Sequence, residues 1–257
     1  MIKKFFIVFI FPIFLFVSCS QTKKIVYLQN IDTLRSNEYV FTNQFDYRIQ
    51  KQDLLYIDIS TINPDINQLF SDNNSVSQSF LSSEIGLYIQ SYYVNDSGYI
   101  ELPVLGKLKV ENLTLEEVKE TIKNSGYFLK NPVINVKLLS FKVSILGEVM
   151  RPGVYKNYGN KLTIFEAIGL AGDINDYGNR KNVMVLRPTE TGTKIIHLDL
   201  TNKNLFNSEA YYLRPNDIIY VQPRKNKLFK INAQIYTMVI SGISTLVLVL
   251  NLVLRKV

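Results

Sequence analysis

From Ile231 to Leu254 the chain carries no charged residue, and no other stretch restricts its fold so tightly. A run of that composition cannot stay extended in water. Coiled as a helix, the twenty residues Ile235–Leu254 would be about 30 Å long, the thickness of a bilayer's hydrocarbon core. The run therefore predicts a C-terminal transmembrane helix over residues 231–255. Its polar members are Thr237, Ser241, Ser244, Thr245 and Asn251. Steps of four and three residues from Thr237 pass through 241, 244, 248 and 251, so most of them share one stripe. In a ring of such helices the stripe would face inward, which makes these five residues pore-lining candidates. The plainer reading is a simple anchor whose hydroxyls bond its own backbone.

The other end carries a second signal. Lys3 and Lys4 precede an apolar run from Phe5 to Val17, followed by Ser18-Cys19. A basic start, a short apolar core and a small residue before the cut make residues 1–18 a secretory signal, too short to span a bilayer comfortably. Cys19 is the only cysteine, so it has no partner for an internal disulfide. FVSC resembles a bacterial lipobox, with Phe16 where leucine is usual, and that resemblance implies lipidation of Cys19. Ser20 in place of aspartate favours the outer membrane as destination. Residues 19–43 are then a lipid-tethered linker.

The formal net charge is +7, and removal of Lys3 and Lys4 takes it to +5. With no polybasic block this is a mildly basic surface and not a nucleic-acid footprint. Between the ends, short alternating runs and capped helices succeed one another. YRIQKQDLLYIDIS (Tyr47–Ser60) alternates as a half-buried strand does. Residues 63–91, including the serine- and asparagine-rich SDNNSVSQSFLSS, are expected to be an exposed insertion or loop. Thr114 with Glu117, and Thr163 with Glu166, each form the spacing of a helix capping box. Two echoes link the halves: Asp53-Leu54-Leu55-Tyr56-Ile57 with Asp217-Ile218-Ile219-Tyr220-Val221, and Leu113-Thr114 with Leu162-Thr163. Short strands with one capped helix per unit predict small α+β domains.

YRIQKQDLLYIDI, GYIELPVLGKLKVENLTLEEVKETI and NPVINVKL resemble the periplasmic domain of Wza-type polysaccharide export lipoproteins. GEVMRPGVY, LTIFEAIGLAGD and NDIIYVQP resemble the soluble-ligand-binding β-grasp module that follows it. The resemblance assigns residues 44–140 to the export domain and 141–224 to the β-grasp domain. The fold class expected is thus α+β: two small periplasmic domains followed by a C-terminal transmembrane helix that forms a helical barrel on oligomerisation. Two departures stand out. Gln50-Lys51-Gln52 replaces a glycine-rich turn before Asp53, and Asp173 stands at a position that is commonly glycine. The family implies a homo-oligomeric ring, expected to be an octamer, in the outer membrane. It also implies a capsular or extracellular polysaccharide in transit and an inner-membrane co-polymerase or tyrosine kinase as partner.

No enzyme signature competes. His197 is the only histidine and lies in the strand pattern KIIHLDL, so neither His nor Cys can supply a zinc pair. GEVMRPG lacks the lysine and spacing of a phosphate loop. Glu116-Glu117 and Asp173/Asp176 are the carboxylate pairs present, in a helix cap and a turn-rich segment respectively. No catalytic residue, cofactor or metal site is expected. The alternatives to an export channel are a lipid-tethered periplasmic glycan-binding protein without a pore, and an inner-membrane scaffold.

Overall fold

The computed structural model describes residues 26–30, 47–70, 84–126, 129, 131–189, 191–225 and 227–255. Cys19 and the 1–18 signal lie outside the described residues.

The first unit is built on β1 (Leu54–Ser60). β1 is the middle strand of an antiparallel three-stranded sheet, flanked by β2 (Ser91–Tyr93) and β5 (Val133–Leu138). The register pairs Leu55 with Leu138, Ile57 with Val136 and Ile59 with Ile134. The alternation of β1 therefore sends Leu55, Ile57 and Ile59 into the core. The strand starts at Leu54, because residues 50–53 before it form a turn. β3 (Tyr99–Leu102) and β4 (Gly106–Lys109) form a separate hairpin. A helix, Leu115–Ser125, closes the unit with Val118 and Ile122 fully buried. Its predicted capping box is present: Thr114 Oγ1 accepts from Glu117 N–H, and Glu117 accepts from Thr114 N–H at 2.7 Å. Each fully buried Ile, Leu or Val contributes about 1.5–3 kcal/mol relative to exposure.

The stretch expected to be a loop contains two short helices, α1 (Pro64–Phe70) and α2 (Glu84–Ile89). The capped helix of this unit is therefore α3. Asn67 stabilises the entry to α1 by accepting from Thr61 N–H and donating to Thr61 O. The intervening residues 71–83 lie outside the described set.

The second unit is a five-stranded mixed sheet in the order β7-β6-β10-β8-β9. Its strands are β6 (Lys142–Gly147), β7 (Gly153–Lys156), β8 (Gly178–Thr189), β9 (Gly192–Leu198) and β10 (Ile218–Pro223). β10 is parallel to β6 and antiparallel to β8. A parallel pair requires a crossover, and here it carries β7, α4 (Ile164–Leu170), β8 and β9. Thr163 and Glu166 form the second capping box at α4. Val143, Ile145, Val183, Val185, Ile219 and Val221 fill the sheet's inner face.

The C-terminal run is a 29-residue helix, α5 (Lys227–Arg255). Among the described residues, however, no helix is long and apolar enough to cross a membrane. The expected transmembrane helix at 231–255 is corrected accordingly, and with it the helical barrel and the pore-lining role of Thr237, Ser241, Ser244, Thr245 and Asn251. These hydroxyl and amide residues, with Asn232 before them, interrupt the apolar sequence. Two of the hydroxyls bond the helix's own backbone. Ser244 Oγ donates to Ile240 O and Thr245 Oγ1 to Ser241 O, both at 2.9 Å.

Candidate functional site

The two aspartate echoes form one structural device used twice. Gln50 N–H donates to Asp53 Oδ2 at 2.9 Å, and Arg214 N–H donates to Asp217 Oδ2 at 2.7 Å. In each turn the residue before the aspartate adopts a left-handed conformation, Gln52 at φ 69° and Asn216 at φ 66°. The missing glycine is thus replaced by Gln52 in a glycine-like conformation, which the carboxylate cap holds in place. One residue ahead of each turn, Ile49 N–H donates to Leu113 O and Leu213 N–H to Leu162 O. Those carbonyls immediately precede the capping threonines, so each turn is tied to the start of its unit's helix. The chain order is reversed between units: turn before helix in the first, helix before turn in the second.

The two buried carboxylates are satisfied differently. Asp217 is paired bidentately with buried Arg187, Nε to Oδ1 at 3.0 Å and Nη2 to Oδ2 at 2.7 Å. Asp53 has only neutral donors: Tyr47 hydroxyl at 2.7 Å, Ser140 hydroxyl at 2.9 Å and Gln50 N–H. Burial pushes the Asp53 carboxyl above its ordinary value, and the three hydrogen bonds oppose that only in part. The Tyr47 hydroxyl is pushed up as well, by burial first and then by the charge and hydrogen bond of Asp53. Ser140 lies in the short connection between the units, so its bond to Asp53 fixes the junction.

At that junction lies an open cleft of about 390 Å³. The Gln50–Asp53 turn and Asn216 of the second turn meet there, with Lys142 and Lys156 from β6 and β7, Tyr158 beyond β7, and Leu87 and Tyr88 from α2. Lys142 and Lys156 are direct cross-strand partners. Asp53 is the one carboxylate among the described residues that line the cleft. No single stretch of sequence signals this site. Its residues come from five separate segments, and lysines that look like solvated surface become a cluster only once β6 and β7 pair.

The segment Asp173–Arg180 receives the N-terminal residues 26–30 and the approach to α5. From the N-terminal side, Tyr27 donates its hydroxyl to Asp173 Oδ1, lies edge-on to Phe165 and carries the Arg180 guanidinium over its ring. Burial first, then the hydrogen bond to Asp173, pushes its phenol up to about 12. Leu28 N–H and Gln29 N–H donate to Leu200 O and Thr201 O. From the C-terminal side, Arg224 N–H donates to Tyr177 O, and Lys227 at the start of α5 pairs with Glu148, which also accepts from Asn175. Asp173 itself is left-handed at φ 78°. The departure from glycine is thus strained but functional: its carboxylate holds Tyr27, caps Ile174 N–H at 2.6 Å and lies 3.7 Å from Arg180.

The remaining chemistry-bearing residues make local contacts. His197 is exposed on β9, with Nδ1 2.7 Å from Asn182 Oδ1. Glu117 caps α3 and Glu116 pairs with Lys119. Among the described residues no group of three His, Cys, Asp or Glu could hold a metal ion.

The chain thus folds as two consecutive α+β units joined at a junction that the Ser140–Asp53 bond fixes. Residues 42–139 match the polysaccharide biosynthesis/export protein family and residues 141–221 match the SLBB domain, together more than half of the chain. The chain belongs to the polysaccharide biosynthesis/export family and carries an SLBB domain. Over 143 residues it is 27% identical to the EPS I polysaccharide export outer membrane protein EpsA of Ralstonia solanacearum. It is equally similar to the protein of that name from Ralstonia nicotianae. The match spans 54% of this chain but just 37% of each relative.

Proposed function

We propose that this chain is a subunit of an outer-membrane machine that exports capsular or extracellular polysaccharide. The observation that carries the reading is the order of its two family matches, laid on two α+β units joined at one junction. In this reading Cys19 is the lipid attachment site. The docking of Tyr27 on Asp173 then keeps the lipid close to the second unit, since residues 20–26 span at most about 25 Å. The subunits assemble as a ring, and the polymer passes passively through it, driven by synthesis and by an inner-membrane co-polymerase.

The polar, tyrosine-bearing cleft favours a second reading, a tethered glycan-binding protein without a pore. Deletion of the gene and complementation with the full chain tests export: surface polysaccharide should disappear and return. Light scattering and electron-microscope class averages of the detergent-solubilised protein separate the two readings. A closed ring with a central hole supports the channel, and a stable monomer or dimer supports the tethered binder.

A further inference from the structure

We infer that the outer face of the second unit's sheet is an interface between copies of this chain, on which α2 of another copy's first unit packs. The inference rests on the assembly reading above and deepens it by naming the surfaces that meet.

A sheet with one solvated face alternates apolar inward positions with polar outward ones. This sheet is apolar on both sides. The outward row that crosses all five strands reads Val154, Ser144, Ile218, Leu186 and Ile195 from β7 to β9. The next row holds Leu146, Tyr220 and Met184 and ends at His197. Val154, Leu146 and Ile195 stay 63%, 45% and 55% exposed, so the fold of the described residues leaves this face open. A contiguous apolar surface of this kind marks an interaction site.

Charge and a second apolar surface specify what covers it. Residues 141–224 carry 11 Lys and Arg against 8 Asp and Glu, a formal +3. Residues 47–140 carry 8 against 11, a formal −3. Copies that met like unit on like unit would repel, whereas first unit on second attracts. The first unit also supplies the apolar counterpart. Ile85, Tyr88 and Ile89 stand at i, i+3 and i+4 on one face of α2, and each is at least 60% exposed. Ile89 then shares an open hollow with Val104 and the exposed Glu101 of the β3–β4 hairpin. Lys142, exposed on β6, borders the sheet face, so the two surfaces also carry opposite local charge. A helix laid on a sheet is the layering that buries both apolar faces.

The test is light scattering of the full chain in detergent over a concentration series, with two surface variants. I85D/I89D disables the first unit's surface and L146D/I195D the second's. All four side chains are exposed, so each variant should melt with the parent protein. A variant that melts early is replaced by its serine counterpart, which keeps the comparison between folded chains. Each variant alone should associate at least about tenfold more weakly than the parent, because two apolar contacts give way to charges. Mixed in equal amounts, the two variants should recover association, since each retains the surface that the other has lost. Association of the parent should weaken as salt rises. Association that is unchanged in either variant, not recovered on mixing or indifferent to salt overturns the inference. Parent rings that survive both variants overturn these surfaces and leave the ring reading standing, whereas a monomeric parent overturns both. If the deletion strain still exports polysaccharide, the export reading fails whatever the light scattering shows.

Discussion

Asp53 and Asp217, far apart in the chain, occupy the same position in the same turn, each accepting the N–H three residues upstream and each following a left-handed residue. They differ in what neutralises them. Arg187 balances Asp217, whereas Asp53 is held by hydroxyls and an amide.

That difference sets the cost of removing a partner. Arg187→Ala leaves Asp217, which is fully buried, without its counter-ion, and should cost about 3–5 kcal/mol. Tyr47→Phe removes one neutral hydrogen bond from Asp53 and should cost about 1 kcal/mol. Urea midpoints of the two variants against the parent protein check the contrast.

Asp53 also makes a signed pH prediction. Its folded value is raised above the ordinary 3.8, so the folded state binds the proton more tightly than the unfolded chain. The contribution is complete below pH 3.8 and is lost as pH rises through the folded value. Relative to Asp53→Asn, which does not titrate, the parent protein should therefore lose ground as pH rises from 3 to 7. Paired urea titrations across that range read it directly.

Glu148 works in the opposite sense. Burial pushes its carboxyl up, but the bonds from Lys227 and Asn175 outweigh burial and hold it below 4.5. Its tie to α5 should be complete above pH 4.5 and lost as pH falls through the lower folded value. Hydrogen exchange in the first turns of α5 should rise in that acid window in the parent protein. In Glu148→Gln it should already be high at neutral pH.

Asp173 trades backbone strain for contacts. Asp173→Gly relieves the left-handed conformation and loses the carboxylate, while Asp173→Ala keeps the strain and loses the same contacts. The alanine variant should be less stable by about 1 kcal/mol. Both should release the Tyr27 segment, visible as faster proteolysis around residues 26–30.

Gly147 is left-handed at φ 89°, and an added Cβ would lie 2.2 Å from Val221 O. That oxygen accepts the N–H of Glu148, the residue after β6, and cannot withdraw without breaking that bond. Gly147→Ala should cost more than about 2 kcal/mol and separate β6 from β10, giving a lower melting temperature and loss of amide protection along both strands.

What the sequence by itself determined was local. Thr114 with Glu117 and Thr163 with Glu166 specify helix starts because both partners of each capping box lie within one turn. The Asp53 and Asp217 echo marks two matching turns because the bond spans three residues. The order of short motifs identifies the family. The helix of α5 follows from its composition, but a membrane crossing does not: among the described residues no helix is long and apolar enough for one. The helices α1 and α2 were hidden because each is under two turns long, too short to show a helical period. Only the tertiary structure decided that β10 would lie parallel to β6, that Tyr27 would reach Asp173, and that Lys142 and Lys156 would face one another beside Asp53. Those relationships join residues distant in the chain through strand pairing and burial, and no spacing within a single segment encodes them.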